Sequence, residues 1–179
     1  MSHTAQLNFV ERLSKEFPEH FNKAKVIEIG SLDINGSVRG FFADCEYVGV
    51  DVGEGKNVDL VCEGQKVDHP EGTYDTSLSC NCFEHNPHWV ETFQNMWRMT
   101  RSGGLVFVAV PTTGSQEHGT HENSPDSSPL TLNIGWNYYK NLEEKDFTDN
   151  FNLNEMFDKY FFELCFDNTK DLYFYGFKR

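Results

Sequence analysis

Val26-Ile27-Glu28-Ile29-Gly30-Ser31-Leu32-Asp33-Ile34-Asn35-Gly36-Ser37 is the stretch whose reading decides the fold. It opens as a short buried strand over residues 25–29, turns at Gly30, where the lack of a side chain lets a ligand approach the backbone, and leads into a helix predicted over residues 37–43. Gly36 can take a backbone angle that a Cβ would penalise. Tyr47-Val48-Gly49-Val50-Asp51-Val52 then reads as a second strand. Strands alternating with helical segments in this way predict an α/β sheet.

The same alternation continues downstream. Residues 58–62 and 74–80 read as third and fourth strands. Asn86 can cap the next helix and Pro87 suits its first turn, after which Trp89, Val90, Phe93, Met96 and Trp97 form an apolar face. Ser102-Gly103-Gly104 turns the chain into its most hydrophobic strand, residues 105–110, expected at the centre of the sheet. Upstream, Phe9, Val10, Leu13 and Phe17 recur at helical spacing before Pro18, which predicts a core-covering helix over about residues 5–17. A polar stretch rich in Gly, Ser, Thr, His and Pro marks a long loop over about residues 112–137. Helices are expected over residues 142–147 and 153–160. Two strands, 161–166 and 172–177, then close the chain around the turn-prone link 167–171, and so short a link favours an antiparallel pair.

At 179 residues the chain fits one domain spanning its whole length, with little room for a separate substrate domain. Hydrophobic residues at 38% and 16 Phe are enough for a packed globule. A formal charge of −13 with no basic cluster argues against nucleic acid as a partner. No apolar run approaches the roughly 20 residues of a membrane span, and the N-terminus lacks a signal-peptide pattern, so a cytoplasmic location without membrane attachment is expected. The five cysteines are odd in number and scattered, and are expected to be reduced.

In an open α/β sheet, ligands bind beyond the carboxyl ends of the strands. Asp51 ends the second strand, where its carboxylate can accept hydrogen bonds from the vicinal hydroxyls of a ribose. A dinucleotide also needs Gly-x-Gly-x-x-Gly to cradle its pyrophosphate, and two of those three glycines are missing after Gly30. S-adenosylmethionine (SAM) has no phosphate and a cationic sulfur, so the acidic Glu28 and Asp33 are tolerable near it.

These segments resemble the class I SAM-dependent methyltransferases, in particular the methyltransferase type 11 group. Val26-Ile27-Glu28-Ile29-Gly30-Ser31 looks like the family's first motif and Tyr47-Val48-Gly49-Val50-Asp51 like its acidic second motif. Asp59-Leu60-Val61-Cys62-Glu63-Gly64, Tyr74-Asp75 through Phe83-Glu84-His85, Arg101-Ser102-Gly103-Gly104-Leu105 and Asp171-Leu172-Tyr173-Phe174-Tyr175-Gly176 resemble the later strand segments in order. The first motif departs from the common Gly-x-Gly-x-Gly, with Asn35-Gly36-Ser37 following Gly30-Ser31 at a distance. The resemblance implies a Rossmann-like three-layer sandwich, with a mostly parallel seven-stranded sheet and an antiparallel last strand. It implies SAM as cofactor, held by Glu28, Gly30, Ser31, Asn35, Gly36, Asp51, Val52, Cys62, Glu63, Gly64, Cys80, Asn81 and His85. Within that set Gly30 and Ser31 would line the methionyl part, Asp51 the ribose, Glu63 and Gly64 the adenine, and Cys80 and Asn81 the amine or sulfonium.

The acceptor is expected to be a small molecule or a sugar or lipid-type head group, with His118 or His121 of the polar loop as general base. Trp136, Tyr138 and Tyr139 would either wall the acceptor pocket or anchor the loop. Cys80, Cys82, His85 and His88 carry metal-ligating side chains, but strand alternation would set both cysteines on one face and leave His88 on the next helix. His118 and His121 with Glu117 and Glu122 are read as solvated, and no metal is expected. Two other readings stay open: a SAM-binding protein without transferase activity, and an NAD-binding oxidoreductase.

Overall fold

The computed structural model describes residues 4–166 and 169–179. Seven strands form one sheet in the order β3-β2-β1-β4-β5-β7-β6. They are β1 (Lys25–Ile29), β2 (Glu46–Asp51), β3 (Leu60–Val61), β4 (Tyr74–Cys80), β5 (Thr100–Pro111), β6 (Phe157–Cys165) and β7 (Asp171–Lys178). The neighbouring pairs from β3 through β5 are parallel, while β7 runs antiparallel to both β5 and β6. The expected mostly parallel sheet with a reversed last strand is thus observed.

The sheet separates two apolar cores because strand side chains alternate between faces. Along β5, Val106, Val108 and Val110 enter one core and Leu105, Phe107 and Ala109 the other. Helix α1 (Thr4–Glu16) covers the second with Phe9, Val10 and Leu13; Phe9 stacks on Tyr173 at 4.4 Å between ring centroids. Helix α2 (Trp89–Met99) covers the first with Trp89, Phe93 and Met96. There the phenylalanines converge, Phe93 and Phe147 at 5.4 Å and Phe147 and Phe174 at 5.8 Å. No described helix is long and apolar enough to cross a membrane.

Several expected elements differ. Residues 37–43 form only a 3₁₀ turn, Val38–Phe41, held by the Arg39 N–H on Ser37 Oγ and the Phe42 N–H on the Arg39 carbonyl. The third strand contracts to Leu60–Val61. Asn86 does not cap α2 directly; its Oδ1 accepts from the His88 N–H and its Nδ2 donates to Thr92 Oγ1, which shapes the turn before the helix. The polar loop contains a short helix α3 (Pro129–Asn133). Helix α4 (Glu144–Asn150) starts later than expected because Glu143 and Asp146 form a capping box. The helix expected over residues 153–160 stops as α5 (Leu153–Met156), and β6 starts at Phe157. Pairing along the whole of β7 decides that segment over its local preference. Of the link 167–171, Asp167 and Asn168 lie outside the described residues.

Candidate functional site

Chain order along the sheet reverses between β1 and β4, so a crevice forms where their carboxyl ends diverge. Strand β1 ends at Ile29, whose carbonyl accepts from Ser79 Oγ at 2.8 Å. Gly30 then turns with φ +84°, and the N–H groups of Gly30 and Ser31 donate to the Val50 carbonyl at 2.8 and 3.1 Å. A Cβ on Gly30 would lie 2.3 Å from Cβ of Cys82, so glycine is required both for the turn and for the approach of the two strand ends. Asp33 accepts from the Gly36 N–H and pairs with Lys56 at 2.7 Å.

Asp51 stands at the end of β2. One of its oxygens accepts from the Leu32 N–H at 3.0 Å and the other from the Val52 N–H at 2.8 Å, which leaves each oxygen a further lone pair. Burial pushes its carboxyl above the usual range. Glu28 takes a different position: it is buried beneath the loop and accepts from the Tyr47 hydroxyl at 2.7 Å. Burial raises its pKa to about 7 from 4.5. A carboxyl raised on folding favours the native state below the unfolded pKa and loses that contribution as pH rises through the folded one. The shift corresponds to roughly 3 kcal/mol. Glu28→Gln is therefore expected to be more stable than the parent protein at pH 8 by up to about that amount and nearly equal to it at pH 5, which urea unfolding at the two pH values will measure.

Strand β4 ends at Cys80, and Asn81 follows in the left-handed region, φ +51°, with its N–H on the Ala109 carbonyl. That residue breaks strand alternation. Cys80 packs in the α1-side core while Cys82 packs against the α2-side core, so the two thiols do not share a face as the sequence suggested. Burial pushes both thiols well up, which keeps them protonated. His88 leaves the group altogether and packs on Trp136 at 5.5 Å.

A 3₁₀ turn, Phe83–His85, then presents Glu84 and His85, both buried. His85 Nε2 lies 3.7 Å from Glu84 Oε1. Burial raises Glu84 to about 7; burial, reinforced by the nearby His118, lowers His85 to about 3. The polar loop brings His118 to the same place, 5.0 Å from the His85 ring, with Tyr139 packed on both imidazoles at 5.0 and 5.7 Å. The tyrosine thus meets the site as an aromatic wall, while Trp136 anchors the loop. His121 is exposed, and its N–H is held by Asn137.

Three cavities meet here. The first, about 490 Å³, is lined by Asn35, Asn81, Gln116, His118 and Asp171 among others. The second holds about 40 Å³ between Gly30, Asp51, Asn81, Cys82 and His85 on one side and residues 127–131 on the other. A third, about 20 Å³, adjoins it and reaches Val52, Cys62, Gly64 and Trp136. Leu130 fills the space in front of β2: a Cβ on Gly53 would lie 2.8 Å from Leu130 Cδ2. Glu63 turns to the surface, where it accepts from Gln65 at 2.7 Å and pairs with Lys66 at 2.6 Å. Ser31 is buried beside the crevice, and Gly36 sits in the loop above it with φ +135°. The gathering of Glu84 with His118 and the insertion of Leu130 carried no signal of spacing in the sequence.

Residues 35–108 match the family of the methyltransferase domain. No curated protein matches by sequence. Among solved structures, the chain is similar to 1,6-didemethyltoxoflavin-N1-methyltransferase from Burkholderia thailandensis, solved with 1,6-didemethyltoxoflavin and S-adenosylhomocysteine, at 14% identity and a TM-score of 0.65 over 96% of this chain and 77% of that one. Phosphoethanolamine N-methyltransferase 2 from Haemonchus contortus, in complex with SAM, matches at 12% identity and a TM-score of 0.66 over 96% of this chain and about half, 52%, of that one. The YcgJ protein from Bacillus subtilis matches at 10% identity and 0.61 over 96% and 99% of the two chains. The family match covers residues 35–108, less than half of the chain, and the likeness to these solved structures is one of fold.

Proposed function

We propose that the chain binds SAM in the crevice beyond β1, β2 and β4 and transfers its methyl group to a small-molecule acceptor held in the 490 Å³ cavity. The observation that carries this reading is the junction at Asn81, which lines both the crevice of Gly30 and Asp51 and the larger cavity of His118. A cofactor entering from one side and an acceptor from the other meet there, and methyl transfer is an in-line displacement governed chiefly by such alignment. Asp51 takes the ribose hydroxyls, and Gly30, Ser31 and Asn81 the methionyl end. Cys62 and Gly64 border the adenine side. His118, the imidazole on the cavity wall, is placed to accept the proton an acceptor gives up. The solved neighbours that carry SAM, or S-adenosylhomocysteine with a small molecule, support the same assignment.

Transfer of a labelled methyl group from SAM to a panel of small hydroxyl and amine compounds tests the activity. The reading expects S-adenosylhomocysteine to form together with a labelled acceptor; binding of SAM without product across the panel would favour a non-catalytic SAM-binding protein instead.

The crevice of about 40 Å³ is far below the roughly 300 Å³ at which small-ligand sites begin. Cofactor entry therefore requires residues 127–131 to move outward. Amide hydrogen exchange across that segment is expected to change on adding SAM, and an unchanged pattern with SAM bound would contradict the assigned crevice.

A further inference from the structure

We propose that Glu84, His85 and His118 hold a divalent first-row transition ion, of which zinc is representative, with its remaining positions open to the 490 Å³ cavity. One candidate ligand atom from each of the three lies within 4.8 Å of the others. Neither oxygen of Glu84 accepts a hydrogen bond, although the side chain is fully buried. Burying an unpaired carboxylate is costly, so a carboxyl in such a place is held neutral, is paired, or binds a metal. His85 is buried as well, and its Nδ1 has no hydrogen-bond partner.

His118 completes the group from a different segment. Its Nδ1 lies 3.0 Å from the Gln116 carbonyl, an acceptor, so that nitrogen carries the proton and the lone pair is left on Nε2. A ring nitrogen donating to a backbone carbonyl is the arrangement that orients metal-bound histidines. Ligand bonds of about 2.0–2.2 Å call for donors about 3–3.5 Å apart, so shifts of about an ångström close the set. His118 is half-buried in the polar loop.

The donor set selects the class of ion. Two imidazoles and a carboxylate suit zinc and its first-row neighbours, whereas magnesium and calcium prefer oxygen donors. The protonated thiols of Cys80 and Cys82 stand outside the group. The open positions point to a hydroxyl-bearing acceptor. This rests on the methyltransferase reading above, with His118 then acting as a ligand and not as a free base. A bound cation lowers the pKa of an oxygen it coordinates. The acceptor O–H releases its proton to bulk water, and its oxygen lone pair forms the new O–CH3 bond. The S–CH3 bond breaks with its electron pair staying on sulfur, which leaves as a neutral thioether.

The test is titration of the full chain with Co2+ followed by visible absorption, and with Zn2+ followed by calorimetry. SAM binding is measured on the same samples. The proposal expects one ion per chain, cobalt d–d bands without thiolate charge-transfer bands, and affinity at least tenfold weaker in both His118→Ala and Glu84→Gln but unchanged in His121→Ala. No binding, thiolate bands, or an affinity insensitive to His118→Ala and Glu84→Gln overturns it. Failure to bind cations while SAM still binds removes this inference alone, and cation binding without SAM binding removes the methyltransferase reading but leaves the cation site.

Discussion

Gly30→Ala is expected to lose about 3 kcal/mol or more of stability and to abolish SAM binding. Two costs add at this position. The backbone sits at φ +84°, where a residue with a Cβ pays roughly 1–2 kcal/mol, and the new methyl would lie 2.3 Å from Cβ of Cys82, an atom fixed to the backbone with no room to swing aside. Overpacking of that kind costs a further 1–3 kcal/mol or so. For a chain of this length, a melting temperature lower by roughly 10 °C is the direct readout. A variant melting within a degree or two of the parent would mean that the β1 turn is not built as described. Retained SAM affinity in the folded variant would mean that the cofactor does not approach the backbone at Gly30.

Asp51→Ala is expected to weaken SAM by roughly 100-fold while leaving the sheet intact. The carboxylate has a lone pair to spare on each oxygen after accepting from Leu32 and Val52. A hydrogen bond to a charged group contributes about 1.5–3 kcal/mol, so loss of the ribose contacts accounts for an effect of that size. The substitution also frees two backbone N–H groups, so a modest fall in stability accompanies it. Calorimetry at a temperature well below the melting point separates the two effects. A loss of less than about threefold would place the ribose elsewhere.

The parts of the fold legible in the sequence are those where local pattern and tertiary environment agree. Strands β1, β2, β4 and β5 read as apolar runs because most of their side chains are covered by a core on one face of the sheet or the other. Helix α2 reads from its apolar face for the same reason. Most of β6 falls within the strand expected over residues 161–166, but residues 157–160 read as helix because Leu153, Phe157 and Tyr160 fall at helical spacing, and only the β7 ladder, which the sequence does not display, extends the strand back to Phe157. The segment after Gly36 reads as a helix, yet between the β1 turn and β2 it closes as a single 3₁₀ turn.

The site divides in the same way. Gly30, Asp51, Asn81 and His85 follow strand ends, and the rule that ligands gather there finds them from sequence. Glu84 was visible only as part of a motif. Its meeting with His118 depends on how the polar loop folds back, and no periodicity encodes that. The alternation argument for Cys80 and Cys82 failed at one residue, Asn81, whose left-handed backbone ends the strand between them. Glu63 was assigned to adenine by resemblance, and its side chain bonds to Gln65 and Lys66.

Calorimetric titration of the full chain with SAM, S-adenosylhomocysteine and NAD tests the central claim most directly. Saturable 1:1 binding of SAM and S-adenosylhomocysteine, lost in Asp51→Ala and not seen with NAD, is the predicted result. Binding of NAD at micromolar concentration with none for SAM would contradict it.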